Sequence, residues 1–344
     1  MPASYSGSAQ AANEVPGAIR LVHAHYCRFD RCRVEHVGSY GIEVAEACRH
    51  IQVRQCEIRD LGAGGVKVWH GCRCNTISDC EIGDGGHLHM SAVGVLIGRA
   101  TGNQVAHNHI HDFFYTGVSV GWLWGYRESD TYGNIVEWNH IHDIGKGKLS
   151  DMGGIYTLGE QPGTRLRFNL IHDVTSRTYG GWAIYPDEGS SHILIENNIC
   201  YRTKCAPFHQ HYGRENIVRN NIFAFGREDQ VARSKEENHL SLQFENNIVY
   251  FREGRLLSAG YHGQIKPDNA VFRNNLYWDA SGRKLDFCGK SFKAWQATGM
   301  DPGSRVANPR FANPDRADFR LRKGSPALKI GFIPFDLKDV GPRR

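Results

Sequence analysis

Acidic residues in two short segments of the chain suggest chemistry on a sugar. Asp151 lies in SDMGGIY at residues 150–156, and Asp187 and Glu188 lie in IYPDEGSS at residues 184–191. Two carboxyl groups on either side of an acetal are the usual machinery for cleaving a glycosidic bond. Asp151, Asp187 and Glu188 are therefore the candidate catalytic acids. Both segments also fit ordinary turns, so a purely structural role for each acid remains an alternative.

Aromatic and polar residues in neighbouring segments are the candidates for substrate binding, because sugar ring faces stack on aromatic rings. This set is Trp122, Trp124, Tyr156, Glu160, Tyr185, His87, His89, His209, His211 and Tyr212. Trp122 is as well suited to packing as to touching a sugar, whereas Trp124, followed by Gly125 in a long loop, is expected to face the substrate. For the four histidines a packing role is the alternative, since histidine is abundant throughout the chain.

The elements that must position these residues are predicted from a repeat. A polar residue followed two positions later by Ile, Val or Leu recurs at intervals averaging about 27 residues, close to one turn of a parallel β-solenoid. The repeated positions are Cys32, Cys56, Cys80, Asn108, Asn139, Asn169, Asn197, Asn220, Asn246 and Asn274. We interpret this column as a ladder of stacked side chains in an all-β solenoid of about ten coils, each with at least two strands.

Residues that repeat in register with this column are assigned to the scaffold. Asp60, Asp84, Asp112, Asp143 and Asp173 all lie four residues after a ladder position. His111, His142 and His172 all lie three residues after one. Cys32, Cys56 and Cys80 share the column itself, which favours packed, reduced thiols over a disulfide framework, although the framework remains an alternative. A catalytic cluster is instead expected among residues that break the register.

Register-breaking insertions occur at one turn of the solenoid. The step from the ladder to the strand that follows takes nine residues in regular coils but 14, 15 and 12 residues after Cys80, Asn139 and Asn169. A further long loop begins at Gly121. Since neighbouring coils are about 4.8 Å apart, these insertions are predicted to wall a groove.

A metal site is not expected in this groove. A His-x-His pair beside a carboxylate can hold zinc. However, the pair of His87 and His89 and the pair of His209 and His211 are predicted to lie about five coils, ~24 Å, apart. Hydrogen bonding to a sugar is the simpler role for His209 and His211, and no cofactor is predicted.

Composition gives no sign of a nucleic-acid or membrane partner, so the oligosaccharide or polysaccharide suggested by the acidic and aromatic residues is the expected partner. The formal charge of +5 is spread along the chain without a Lys/Arg block, so neither nucleic acid nor an anionic membrane is expected to bind. No apolar run has the roughly 18–20 residues that cross a bilayer, and residues 1–17 lack the apolar core of a secretory signal.

Three regions are predicted: an N-terminal segment over residues 1–16, acting as a cap or linker, a catalytic solenoid over residues 17–285, and a C-terminal capping segment over residues 286–344. Residues 292–297 are expected to form a short helix. The first strand, at Gly17, starts halfway through a coil, so residues 1–16, a partner chain or a missing segment is expected to cover the open end of the solenoid.

The sequence resembles the right-handed parallel β-helix glycoside hydrolases, most closely glycoside hydrolase family 141, which includes an α-L-fucosidase and xylanases. The resemblance rests on the Asn-x-Ile coils, YTGVSVGW at 115–122, the two acidic segments, and the tail motifs NPRF at 308–311, DFRL at 318–321 and GSPAL at 324–328. It implies a secreted or periplasmic enzyme with Asp151 and Asp187 as its acid pair. Members commonly carry Asp where this chain has Glu188, which leaves open which of Asp187 and Glu188 faces the groove.

Three functions are compatible with this scaffold. The first is a glycoside hydrolase with two catalytic carboxylates. The second is a polysaccharide lyase that uses His209, His211 or Tyr212 with Arg214 to remove a proton beside a uronate. The third is a glycan-binding solenoid without catalysis. The fold alone does not choose among them.

Overall fold

The chain is a right-handed parallel β-helix of about ten coils, which confirms the predicted solenoid. The computed structural model describes residues 8–258, 265 and 268–343. Each coil contributes one short strand to each of three parallel sheets, so a coil has three strands.

The strands are numbered in chain order, and each sheet collects every third strand. Sheet I contains β1 (Gly17–Val22), β4 (Tyr40–Ala45), β7 (Val66–Val68), β10 (Val95–Gly98), β13 (Val118–Gly121), β16 (Gly153–Thr157), β19 (Trp182–Pro186), β22 (Phe208–Gln210), β25 (Asp229–Arg233) and β28 (Arg255–Leu257). Sheet II contains β2 (Arg28–Asp30), β5 (Gln52–Arg54), β8 (Thr76–Ser78), β11 (Gln104–Ala106), β14 (Ile135–Glu137), β17 (Arg165–Arg167), β20 (Leu194–Glu196), β23 (Asn216–Arg219), β26 (Leu242–Glu245) and β29 (Ala270–Arg273). Sheet III contains β3 (Arg33–Val37), β6 (Glu57–Leu61), β9 (Glu81–Gly85), β12 (His109–Phe113), β15 (His140–Ile144), β18 (Leu170–Val174), β21 (Ile199–Thr203), β24 (Ile222–Gly226), β27 (Ile248–Phe251), β30 (Leu276–Asp279) and β31 (Arg305–Val306).

The remaining elements lie in the C-terminal segment. They are α1 (Phe292–Gln296), the antiparallel pair β32 (Phe311–Asn313) and β33 (Asp318–Leu321), and two 3-10 helices (Pro314–Arg316 and Pro326–Ile330). Trp295 of α1 packs near Phe287, and Phe287 packs against Tyr277 of β30 at a ring distance of 5.4 Å. This part of the C-terminal segment therefore packs against the last complete coil.

Alternation of apolar and polar residues builds the core. In β12 and β15, Ile110 and Ile141 are fully buried and pair in register, while the histidines on either side of them point outward. Such alternation is what a strand with one buried face requires. The buried side chains of all three sheets form one continuous core inside the helix.

The asparagine ladder exists, but its predicted register is wrong by one residue in the later coils. Asn108, Asn139 and Asn169 each donate a side-chain hydrogen bond of 3.0 Å to the next amide, and Asn169 donates to Asn198, not to Asn197. The ladder continues through Asn221, Asn247 and Asn275. The predicted residues Asn197, Asn220, Asn246 and Asn274 have positive φ angles of 54–57°. Each Asn-Asn pair thus divides its roles: the first residue adopts the left-handed conformation that Asn tolerates, and the second forms the ladder.

Other repeated residues also lie in the scaffold. Asp60, Asp84, Asp112, Asp143 and Asp173 all have positive φ angles near the ends of the sheet III strands. A second, shorter amide ladder, absent from the sequence prediction, joins Asn75, Asn103 and Asn134. All ten cysteines are free thiols, and most of them are buried.

Both flanking segments run along the sides of the solenoid. Residues 8–16 cross the outer side of sheet I, where Lys67 Nζ donates to Val15 O at 2.7 Å and Tyr40 Oη donates to Ala11 O at 2.5 Å. The C-terminal tail follows the corner between sheets II and III, where Gly341 N donates to Trp138 O at 2.8 Å and Arg343 pairs with Asp79 at 2.7 Å. Among the residues that the structure describes, no helix is long and apolar enough to span a membrane.

Candidate active site

The candidate acids lie around sheet I, where inserted loops from neighbouring coils meet. Asp151 ends the loop that precedes β16, and Asp187 directly follows β19, which pairs with β16 in parallel register. The long loop after β13 packs against the turn that carries the second acid, since Gly125 N donates to Glu188 O at 3.3 Å. Inserted loops from neighbouring coils therefore meet beside β16 and β19.

Two tyrosines hold the two aspartates near each other. Tyr156 and Tyr185 are paired in register on β16 and β19, and their ring centroids are 5.0 Å apart. Tyr185 Oη donates to Asp151 Oδ1 at 3.0 Å, and Tyr156 Oη donates to Asp187 Oδ2 at 2.5 Å. A hydrogen bond from Tyr185 also affects the pKa of Asp187, so one phenol lies beside both carboxyl groups.

The electrostatics of the two aspartates differ. Burial raises the pKa of Asp187 to about 7, the Tyr156 hydrogen bond opposes this rise, and the nearby Asp151 charge adds to it. Burial also raises the pKa of Asp151, with the Tyr185 hydrogen bond acting against it. Because Asp187 is only 5% exposed while Asp151 is half-buried, Asp187 is the better proton donor near neutral pH.

Glu188 points to a different partner from Asp187. Its Oε2 accepts a hydrogen bond of 3.0 Å from Tyr212 Oη, and the side chain is half-buried. The charge of Glu188 nevertheless raises the pKa of both aspartates. Three carboxyl groups therefore share the groove, with Asp187 directed to Tyr156 and Glu188 to the following coil.

An aromatic surface adjoins the acids. Trp182 lies against Tyr185 and His209 at ring distances of 4.3 and 4.1 Å, and Tyr185 stacks on His209 at 4.9 Å with nearly parallel planes. Tyr179, which is 55% exposed, lies at the edge of Trp182. Trp182, Tyr185 and His209 are buried, so Tyr179 is the ring of this cluster that can meet the apolar face of a sugar.

The two loop tryptophans differ in exposure. Trp122 is buried and contacts Trp69 and Trp124 edge to face. Trp124 is 40% exposed. Trp122 thus packs the base of the loop, while Trp124 is available to a ligand.

The later histidines occupy the coil after the acids. His209 Nε2 and His211 Nδ1 both lie within hydrogen-bond distance of Ser234 Oγ, at 2.9 and 2.6 Å. His209 is buried, which lowers its pKa to about 3, whereas His211 is half-exposed and its pKa is lowered less. His211 is the one that a ligand can reach, and its charge state affects the pKa of Asp151.

Two other groups of predicted residues lie apart from the acid pair. Glu160 forms an ion pair of 3.5 Å with Arg214, whose guanidinium also lies 4.1 Å from the centre of the Tyr126 ring. His87 pairs with Asp84 at 3.0 Å. His89 accepts or donates a 2.5 Å hydrogen bond with Ser8 in the N-terminal segment. The structure thus brings together the acids, Tyr156, Tyr185, His211 and Tyr212, but neither Glu160 nor the early histidines.

The N-terminal segment reaches the acid site through a residue that sequence reasoning missed. Gln10 Nε2 donates to Tyr115 Oη and Tyr156 Oη, both at 3.0 Å. Tyr115 Oη in turn donates to the backbone oxygen of Asp151 at 2.7 Å. No sequence signal marks Gln10, because its contacts are formed with residues more than a hundred positions away. The groove is therefore bounded by Gln10 on its N-terminal side.

Comparison with known proteins agrees with the fold. Residues 17–185 match the family model described as the right handed beta helix region. A solved structure described as "Glycoside hydrolase" is 24% identical, with 60% of this chain and 36% of that chain covered and a TM-score of 0.48. A mutant tailspike protein of E. coli bacteriophage HK620, in complex with a pentasaccharide, is 12% identical, with 83% and 58% covered and a TM-score of 0.49.

A polysaccharide lyase of family PL6 from Pseudopedobacter saltans is also similar, at 12% identity, with 98% of this chain and 96% of that chain covered and a TM-score of 0.46. No curated protein sequence matches the chain. The chain spans less than two thirds of the length of the glycoside hydrolase and of the tailspike protein.

Proposed function

We propose that the protein is a glycoside hydrolase in which Asp187 and Asp151 form the catalytic pair, as the resemblance to family 141 implies. The observation that carries this proposal is the pairing of two tyrosines on β16 and β19 with two aspartates of raised pKa. Two carboxyl groups in different environments are what acid and base roles in one site require.

The two aspartates divide the reaction between them. Asp187, protonated below about pH 7, gives its proton to the glycosidic oxygen as the bond to the anomeric carbon breaks. Asp151 is held by Tyr185, and its carboxylate form either takes a proton from an attacking water or attacks the anomeric carbon itself. The configuration of the first product, followed by NMR, distinguishes these two routes.

The aromatic surface beside the acids supports a carbohydrate substrate. Trp182 and Tyr185 pack together beside the acid pair and are buried, and the exposed ring of Tyr179 lies against Trp182. Trp124 adds a second exposed ring from the long loop. A sugar bound here would stack on Tyr179 or Trp124 while its glycosidic oxygen lies near Asp187.

A screen of aryl glycosides and of xylan, pectic and fucosylated glycans tests the proposal, with wild type, Asp151→Asn and Asp187→Asn assayed in parallel. We expect hydrolysis of at least one substrate and a loss of turnover of 10²-fold or more in each variant. Asp84→Asn is the matched control, because Asp84 lies in the scaffold at a positive φ that Asn tolerates. Glu188→Gln tests the alternative acid. Near-normal turnover in Asp151→Asn or Asp187→Asn removes that residue from the mechanism.

A polysaccharide lyase is the second candidate, because His211 and Tyr212 lie beside Glu188 and the exposed Lys235 Nζ lies 3.7 Å from the centre of the Tyr212 ring. The proposed cation Arg214 is less suited to bind a uronate, since it already pairs with Glu160. An unsaturated product that absorbs in the ultraviolet would favour the lyase. Binding without turnover, unchanged by Asp151→Asn, would favour a glycan-binding protein.

A further inference from the structure

A cluster of histidines on sheet III has no role in the proposed hydrolysis. His109 and His111 on β12 pair in register with His140 and His142 on β15, and all four side chains point outward. Stacked rings 5.0 to 5.4 Å apart connect the two strands. The cluster lies on a different sheet from the acid pair.

Three of these histidines, His109, His111 and His142, have their Nδ1 atoms occupied by carboxylates, and two of them leave Nε2 free of a carboxylate. His109 Nδ1 is 2.9 Å from Glu81 Oε2, and His142 Nδ1 is 2.8 Å from Asp143 Oδ2. An ionised carboxylate only accepts hydrogen bonds, so both Nδ1 atoms must carry a proton. The Nε2 atom of each neutral ring is then left with a free lone pair.

The two Nε2 lone pairs are directed at each other. His109 Nε2 and His142 Nε2 are 2.6 Å apart. Two acceptors at this distance repel unless a cation lies between them, and that cation is either a single proton or a metal ion. His140 offers a third ring nitrogen, while its Nε2 also lies 2.8 Å from His172 Nε2, and one ligand atom from each of the three histidines lies within 4.8 Å of the others.

We propose that His109, His140 and His142 bind a divalent late transition-metal ion of the Zn²⁺, Ni²⁺ or Cu²⁺ class, with water at the remaining position. Imidazole is a preferred ligand of these ions. In a tetrahedral zinc site with Zn–N bonds of about 2.0–2.1 Å, neighbouring ligand nitrogens lie about 3.3 Å apart, so the two rings need to separate by less than 1 Å.

The surroundings match those of known histidine metal sites. Ligating histidines almost always donate their second ring N–H to a carboxylate or carbonyl, as His109 and His142 do to Glu81 and Asp143. The neighbouring His111 is excluded as a ligand, because both of its ring nitrogens are engaged by Glu81 and Asp112.

Solvent has access to the cluster. A cavity of about 670 Å³ is lined in part by Glu81 and His109. The side chains of His109 and His142 are 27% and 17% exposed. A bound ion would join β12 to β15 and stabilise two adjacent coils.

Titration calorimetry of the untagged, EDTA-treated and dialysed protein with ZnSO₄ or NiSO₄ tests this site, with thermal unfolding followed in parallel. We expect one equivalent to bind and Tm to rise. Asp143→Asn should weaken binding about 10–100-fold, because it removes a carboxylate that orients a ligand. His142→Gln should weaken it at least as much, and His25→Gln, an exposed histidine outside the cluster, should not change it.

Two results overturn the proposal. Failure of Zn²⁺, Ni²⁺ and Cu²⁺ to bind would show that the Nε2 pair holds only a proton. Binding that is unchanged in His142→Gln would place the ion elsewhere. If His142→Gln is less stable than wild type in EDTA, Asp143→Asn decides the matter, because Asn suits the φ of 51° at that position.

Discussion

Replacing Asp187 by Asn should stabilise the protein at alkaline pH while it abolishes turnover. The ordinary carboxyl pKa of 3.8 is raised to about 7 in the folded chain, mainly by burial. The folded state therefore holds this proton over a pH range in which the unfolded chain has lost it. Stability falls as pH rises from about 4 through about 7, because unfolding then exposes the carboxyl group to water and releases its proton.

The size of this effect follows from the shift in pKa. About three pKa units at 1.36 kcal/mol each give a destabilisation of about 4 kcal/mol at pH 8, and the same relation gives less than about 1 kcal/mol at pH 4. Asn is neutral at every pH and keeps an oxygen that accepts the hydrogen bond from Tyr156. The difference in stability between Asp187→Asn and wild type should therefore grow from pH 4 to pH 8.

Thermal unfolding at constant ionic strength from pH 4 to pH 8 measures this difference as a shift in Tm, expected to reach several degrees at pH 8. Asp130→Asn is the control, because Asp130 is an exposed acid outside both the acid site and the histidine cluster. A Tm difference for Asp187→Asn that does not change with pH would show that burial does not raise the pKa of Asp187. Stabilisation at pH 8 combined with retained turnover would support the raised pKa of Asp187 but refute its role as the catalytic acid.

Three further predictions concern the site and its scaffold. Tyr156→Phe removes a hydrogen bond that lowers the pKa of Asp187, so the alkaline limb of the pH profile of kcat/KM should move to higher pH. An unchanged alkaline limb would show that a group other than Asp187 sets its position. Gln10→Ala should open the N-terminal side of the acid site and raise activity on polymers relative to aryl glycosides. An unchanged ratio of polymer to aryl-glycoside activity would show that Gln10 does not bound the site. Asn139→Ala should lower stability by about 1–3 kcal/mol in denaturant unfolding, because it leaves buried ladder groups unpaired.

The repeat made the fold predictable from sequence, because each coil must present the same inward residues to its neighbours. Ladder spacing therefore indicated the number of coils, and loop lengths indicated where inserted loops meet. The register slip at Asn197 had a local cause: Asn197 is followed two positions later by Ile199 and so fits the pattern, but the inward residue that pairs with Ile171 is Cys200, which makes Asn198 the ladder residue.

The site was only partly predictable. The neighbouring positions of Tyr156 and Tyr185 followed from matching their strands, but the hydrogen bonds to the aspartates depend on how two irregular loops fold inward. Gln10 and the tail contact between Arg343 and Asp79 join residues distant in sequence, and periodicity carries no information about such contacts.

The architecture also accounts for how a buried acid is tolerated. In a solenoid each coil is stabilised mainly by contacts with its two neighbours, so an unfavourable group affects few coils directly. The coil that carries Asp187 is joined to its neighbours by the amides of Asn169, Asn198 and Asn221 on another side of the helix. The ladder thus fixes the backbone while sheet I is left free to hold a carboxyl group whose pKa suits proton transfer.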